Sequence, residues 1–261
     1  MRSILSLFDR KKNNQSKVEY IKVDEIDSTS TYLKNHLPDV VGNDKDLIVV
    51  SAAFQTSGRG QGANKWESER GKNLLFSMLC HPVGVPLHSQ FLISEAVAVA
   101  LHDVLSKYTG DIMIKWPNDI YWKDKKISGT IIENCLAHNH IRDCIIGTGI
   151  NVNQKEFHSD APNPVSLIQI LGDEVDVDKL LKEVVESFTS YLNDLRNGNY
   201  EKIVSLYTSF LYRGHGFFNY RDNDGDFEAA LVEVEDDGHL ILRDKEGKIR
   251  SYAFKEVEFI I

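Results

Sequence analysis

Three short stretches concentrate the residue types that grip anions or stabilise developing charge. The first is Gln55-Thr56-Ser57-Gly58-Arg59-Gly60-Gln61-Gly62-Ala63-Asn64-Lys65-Trp66. Glycine permits φ > 0 and lets backbone N–H groups approach an anion, and an arginine set among such amides can hold phosphate oxygens. The stretch lacks the Gly-Lys-Ser/Thr ending of a Walker A loop and does not match Gly-x-Gly-x-x-Gly. A surface turn would use the same residues, and Trp66 alone reads as packing. The second stretch is Lys115-Trp116-Pro117-Asn118-Asp119-Ile120, followed by Lys125-Lys126-Ile127-Ser128-Gly129-Thr130. Pro117 ends a strand and presents Asn118 and Asp119 at its mouth, while Lys126 enters the next strand. Gly129 leaves room for a ligand beside the backbone, although the Asp-Lys-Lys run equally suits a solvated hairpin. The third, Gly147-Thr148-Gly149-Ile150-Asn151-Val152-Asn153, is a glycine-bearing strand with two asparagines on one face. Glycine there marks either a ligand's close approach or a bulge.

The elements that must position these residues follow from hydrophobic period. Residues 19–26 alternate as a half-buried strand, and 47–54 and 73–80 are continuous apolar runs of central-strand length. Residues 91–107 read as an amphipathic helix with Glu95, His102, Asp103 and Lys107 on its polar side. Strands are expected at 112–116, 127–133 and 144–152, the last two paired. A second long helix begins at an Asp176 or Asp178 cap and runs through Leu195, and a third covers about 199–211. Beyond Gly216, the dipeptides Asp224-Gly225, Asp237-Gly238 and Glu246-Gly247 punctuate short strands, as in a meander or small barrel. About 50 residues is near the lower limit for an independent core, so this part should dock on the main domain. The division expected is a disordered leader over 1–17, a main domain over 18–210 and a small β domain over 211–261.

The formal net charge is −9 and hydrophobic residues make up 42%, which excludes a disordered chain and argues against a nucleic-acid binder. Three cysteines without a Cys-x-x-Cys pair indicate neither a disulfide framework nor a cysteine zinc site, and a reducing cytoplasm is the expected home. The leader shows no secretory cleavage pattern and no stretch is long enough for a membrane helix. His138-Asn139-His140 lies in an expected loop and lacks metal-ligand spacing. No metal ligand is assigned from the residues alone.

In this order and spacing, the segments resemble the biotin–protein ligase family, relatives of the lipoate-protein ligases. The landmarks are Ser28-Thr29, Gln55, Gly58-Arg59-Gly60 with Trp66, Lys115-Trp116-Pro117-Asn118-Asp119, Lys126 with Gly129, and Gly149-Ile150-Asn151. They cover about residues 20–195. The resemblance implies an α+β fold, with a mixed, largely antiparallel sheet flanked by helices as in class II synthetases, and a C-terminal SH3-like barrel. It also implies ATP-dependent activation of biotin to biotinyl-5′-AMP, with Mg²⁺, and transfer to a lysine of a biotin carboxyl carrier protein.

By the same resemblance, Arg59, Lys126 and Asp119 would be catalytic, with Asp119 orienting the acceptor lysine, taking its proton, and lying near any magnesium. Ser28, Thr29, Ser30 and Gln55 would bind the ureido ring of biotin. Gly58, Arg59, Gly60, Gln61 and Lys126 would hold its carboxylate region, and Trp66, Gly129, Ile132 and Gly149 its apolar part. ATP would meet Arg59, Gly60, Gln61, Asn118, Lys126 and Asn151. Two positions depart from the family: Gln61 stands where Gly-Arg-Gly-Arg is common, an arginine associated with retaining the adenylate, and Ser30 where Asn is usual. Too few residues precede the first strand for the DNA-binding helices of larger relatives, so neither nucleic acid nor membrane is an expected partner. A sheet edge near 147–153 could serve a homodimer or the carrier. A lipoate or octanoate ligase of the same fold, and a non-catalytic biotin-binding scaffold, are the alternatives.

Overall fold

The computed structural model describes residues 17–36, 46–62, 64–159 and 161–261; apart from Lys17, the expected leader lies outside them. The first sheet contains β1 (Val18–Ile26), β2 (Leu47–Gln55), β3 (Leu74–Cys80), β4 (Ile112–Lys115), β5 (Asp119–Trp122), β6 (Lys125–Ala137) and β7 (His140–Ile150). Their spatial order is β1-β2-β3-β7-β6-β5-β4. Only β1–β2 is parallel, and every other pairing is antiparallel.

All seven residues of β3 are buried because both faces of the sheet are covered. One face carries Val49, Phe76, Met78, Cys144 and Ile146 against helices α2 (Phe91–Leu105) and α4 (Val177–Arg196). On the other, Ile48, Val50, Leu79 and Ile145 pack beneath Leu33 of the short helix α1 (Thr29–Asn35). From the N-terminus of α1 onward, that second face changes from branched apolar side chains to Ser77, Gly147, Gly149 and Gly129. A strip of the sheet is thereby left bare enough to serve as a floor.

Asp176 caps α4, accepting a bond from the Lys179 amide, and its apolar stripe from Leu180 to Leu195 is buried as the spacing predicts. The expected amphipathicity of α2 does not hold. Glu95 and His102 are buried with its apolar residues, because α2 is enclosed by the sheet, α4, α5 (Tyr200–Ser209) and the C-terminal strands. His102 stacks on Phe210 at 3.6 Å between ring centroids. A further short helix, α3 (Leu167–Leu171), follows β7.

The second sheet is antiparallel, with order β11-β10-β9-β8-β12. Its strands are β8 (Phe217–Asp222), β9 (Gly225–Val234), β10 (Leu240–Asp244), β11 (Ile249–Tyr252) and β12 (Glu258–Phe259). Gly225, Gly238 and Gly247 all have positive φ, the turn conformation their dipeptides announce. The docking expected of so small a unit is present: Trp116 Nε1 donates to the Gly238 carbonyl at 2.9 Å, and Leu240 and Leu242 join the main core. The main sheet runs slightly past residue 210, since Ile114 exchanges backbone bonds with Phe210 and Tyr212.

Candidate active site

Residues 58–60 fold against residues 64–66. Gly60 donates to the Asn64 carbonyl at 2.7 Å and Trp66 to the Gly58 carbonyl at 3.0 Å. A Cβ at Gly58 would approach the Trp66 carbonyl at 2.8 Å, so that glycine serves the loop's own closure. The fold-back lays the Trp66 indole flat on Gly149, where any Cβ would overlap the ring. Two residues along β7, Gly147 likewise leaves room for the Ser30 hydroxyl.

At the N-terminus of α1, Gln55 Oε1 accepts from both the Thr29 amide (2.8 Å) and the Thr29 hydroxyl (3.0 Å). Ser77 bonds the hydroxyls of Thr29 (2.7 Å) and Ser30 (2.9 Å). Ser28 is buried at the helix N-cap, and its side chain makes no capping bond. These hydroxyls and an amide form a compact, uncharged cluster of donors and acceptors at one end of the glycine floor, suited to a neutral polar ring.

At the other end stand the charges. Lys126 lies three residues before Gly129, a separation that would put the two on opposite faces of a regular strand. Here Ile120 pairs with Ser128 while Tyr121 pairs with Lys126, leaving Ile127 as the extra residue of a bulge. The bulge returns Lys126 to the side of Gly129. A Cβ at Gly129 would be 3.1 Å from Lys126 Nζ and 3.2 Å from Asp119 Oδ1, and the two groups pair at 2.7 Å. Lys126 Nζ also lies 5.9 Å from the Trp66 ring centroid. Lys115, paired with Asp119 across the β4–β5 ladder, stands over the Phe259 ring at 4.5 Å. Burial lowers its ammonium's pKa, and Asp119 opposes that shift.

Arg59 is on the same face but not beside Lys126: four residues further along β6 than Gly129, at the α1 end, its Nη2 lies 3.3 Å from Glu133 Oε2, and Lys34 of α1 takes the other oxygen at 2.6 Å. Gly129, Ile131 and Glu133 alternate along β6, so both expected cations address one side of one sheet.

Other expected residues lie elsewhere. Ile132 points to the opposite face from Gly129 and Gly149, into a cavity of about 220 Å³ between the two sheets, with Gln61, Trp116, Asn118 and His239 also on its wall. The parity of a β-strand separates Ile132 from that floor. Gln61 and Asn118 meet at 3.4 Å where β5 stops short of β6, and Asn118 also donates to the Thr130 carbonyl. Asn151 is buried beneath the bulge, its backbone amide bonded to the Ile127 carbonyl and its side-chain Nδ2 donating to the Lys126 backbone carbonyl at 3.5 Å. Ser77 and Glu133 are additions to the expected set. The signal for Ser77 was a hydroxyl inside an otherwise apolar strand, Phe76-Ser77-Met78; Glu133 shares its strand with Lys126, Ser128, Thr130 and Asn134 and carried no such signal.

The model of the biotin/lipoate A/B protein ligase family matches residues 22–151. The bifunctional ligase/repressor BirA of Bacillus subtilis is 29% identical over 217 residues, 81% of this chain and 66% of that protein, so the chain spans just under two thirds of that relative's length. The biotin–[acetyl-CoA-carboxylase] ligase of Paracoccus denitrificans is 25% identical, covering 76% of this chain and 85% of its own. Among solved structures, the Aquifex aeolicus biotin protein ligase in complex with biotin and ATP superposes with a TM-score of 0.75 at 25% identity, covering 92% of this chain and 97% of that one. Through residues 22–151, this chain belongs to the biotin/lipoate A/B protein ligase family.

Proposed function

We propose that this protein activates biotin with ATP to biotinyl-5′-AMP, releasing pyrophosphate, and then transfers biotin to a lysine of a biotin carboxyl carrier domain. The observation that carries the reading is the bulge at Ile127, which brings Lys126 and Asp119 together over Gly129 beside the Trp66–Gly149 contact. One trough thus has uncharged hydrogen-bonding groups at one end, a flat apolar wall in the middle and fixed charge at the other. Biotin has the matching sequence of a neutral ureido head, an apolar ring and tail, and a carboxylate.

In the first step the biotin carboxylate attacks the α-phosphorus of ATP, and the two anions repel. Lys126 and Arg59 offset that charge while Thr29, Ser30, Gln55 and Ser77 hold the ureido end, so the attacking oxygen is aligned before reaction. Asp119 is the carboxylate that would hold a magnesium ion here, and when bound the ion would supply further charge neutralisation. In the second step an acceptor amine attacks the mixed anhydride and AMP leaves. A free lysine is almost wholly ammonium at neutral pH, and Asp119 is the carboxylate placed to orient it and take its proton.

Biotin-dependent exchange of labelled pyrophosphate into ATP tests the reading. Exchange with biotin and not with lipoate supports it; exchange with lipoate alone would make the protein a lipoate ligase of the same fold. Binding of biotin with no exchange would make it a scaffold. Labelling of a biotin carboxyl carrier domain by the purified enzyme tests the partner.

A further inference from the structure

Glu133 is used by none of the steps above, yet it is the one carboxylate among the described residues that binds both the short helix α1 and the glycine loop. Its Oε1 binds Lys34 on α1, the helix whose first turn carries Thr29 and Ser30, and its Oε2 binds Arg59 on the glycine loop. No other side-chain partner of Arg59 occurs among the described residues. The three side chains are 28%, 40% and 43% exposed, so their attraction is screened and open to competition. The two contacts are also unequal. The Lys34 bond is short, at 2.6 Å, while Arg59 reaches Glu133 through one nitrogen at 3.3 Å and leaves the rest of its fork unused.

A guanidinium held so loosely exchanges readily toward a carboxylate or phosphate that can take two of its donors at once. We infer that Glu133 is a positioning residue that holds Arg59 in an exchangeable ion pair, yields it to the substrate's carboxylate or phosphate on binding, and reclaims it as the adenylate leaves, while its bond to Lys34 keeps α1 in place. This rests on the proposed activity. It assigns the empty and loaded states of the trough two different partners for the same arginine.

The test compares wild type with Glu133→Gln, which keeps the shape and removes the charge, and with Glu133→Asp, which keeps the charge on a shorter arm. Binding of biotin and of ATP is followed separately by titration calorimetry, and release of preformed biotinyl-AMP by rapid filtration. Loss of the competitor should tighten anion binding and slow adenylate release, each by about threefold, the size an exposed ion pair supports. Glu133→Asp should restore most of the wild-type release rate. A merely structural Glu133 would instead give weaker binding in Glu133→Gln together with a lowered melting temperature, and that result overturns the inference. So do unchanged binding and release in a folded variant. Wild-type protein without biotin-dependent pyrophosphate exchange would overturn the proposed activity instead, a separate outcome read before either variant is made.

Discussion

Asp119 begins β5 with one carboxylate oxygen on Lys126 and its side chain 20% exposed, so it is both paired and reachable. Asp119→Asn removes a proton acceptor and loosens Lys126 together. Transfer from preformed biotinyl-AMP to the carrier lysine should therefore fall by about 10²-fold, the range of one general base. Undiminished transfer would leave Asp119 as a partner of Lys126 and nothing more. Gln61 is the other residue whose identity matters. It meets Asn118 at the rim and carries no charge where related sequences often place arginine. Gln61→Arg adds a cation beside Asn118 and, on the proposed activity, dissociation of biotinyl-AMP should slow severalfold; equal dissociation rates would show that position 61 does not govern retention.

At the scale of elements, the trough depends on two departures from regular structure: the bulge in β6 and the fold-back of the glycine loop. The second gives a direct prediction. Gly149→Ala sets a methyl group into the Trp66 ring, and the loop must lift to admit it. Apparent affinity for biotin should drop at least about tenfold, the weight of 1.4 kcal/mol, with the melting temperature little changed because the loop is a surface element. Unaltered affinity would mean that the indole does not wall the ligand.

How much was legible in sequence follows the same division. Long apolar runs gave the central strands, helical spacing behind an Asp cap gave α4, and turn dipeptides gave the C-terminal meander, since two-sided burial, an apolar stripe and positive-φ turns leave strong local signatures. Helix α1 was not read, because seven residues rich in threonine and serine carry no amphipathic period. The bulge at Ile127 is a matter of register between two strands and has no signature in either alone. Lys126 and Asp119 were therefore nameable from their motifs, but their meeting over Gly129 was not. Ile132, which the resemblance put beside biotin's apolar part, lies on the far face because strand parity separates it from Gly129 three positions away.

For the whole molecule, the decisive contact is between α2 and the β9–β10 turn of the C-terminal sheet. Glu95, 4% exposed on α2, has an oxygen without a partner and lies within electrostatic reach of Asp236 of that turn and of the buried Tyr207 of α5. Burial first, and the Asp236 charge second, push its pKa up to about 8. The folded molecule therefore binds a proton at Glu95 that the unfolded chain, with an ordinary carboxyl, releases. Because the folded pKa lies above the unfolded one, the stabilisation is complete below the ordinary carboxyl range. It declines as pH rises toward 8, by at most about 1.4 kcal/mol per pH unit, and is flat beyond. Glu95→Gln keeps the neutral shape at every pH. Thermal unfolding at pH 5 and pH 8.5 should accordingly show a smaller fall for Glu95→Gln than for wild type, by several degrees, with the variant the more stable at pH 8.5. Parallel pH dependence in the two proteins would place the ionised carboxylate in solvent and detach the charge of α2 from docking of the C-terminal sheet. The same sheet closes the cavity beside Gln61 and Asn118 and covers Lys115 with Phe259. A confirmed difference would thus tie protonation of one buried acid to the packing that backs the charged end of the trough.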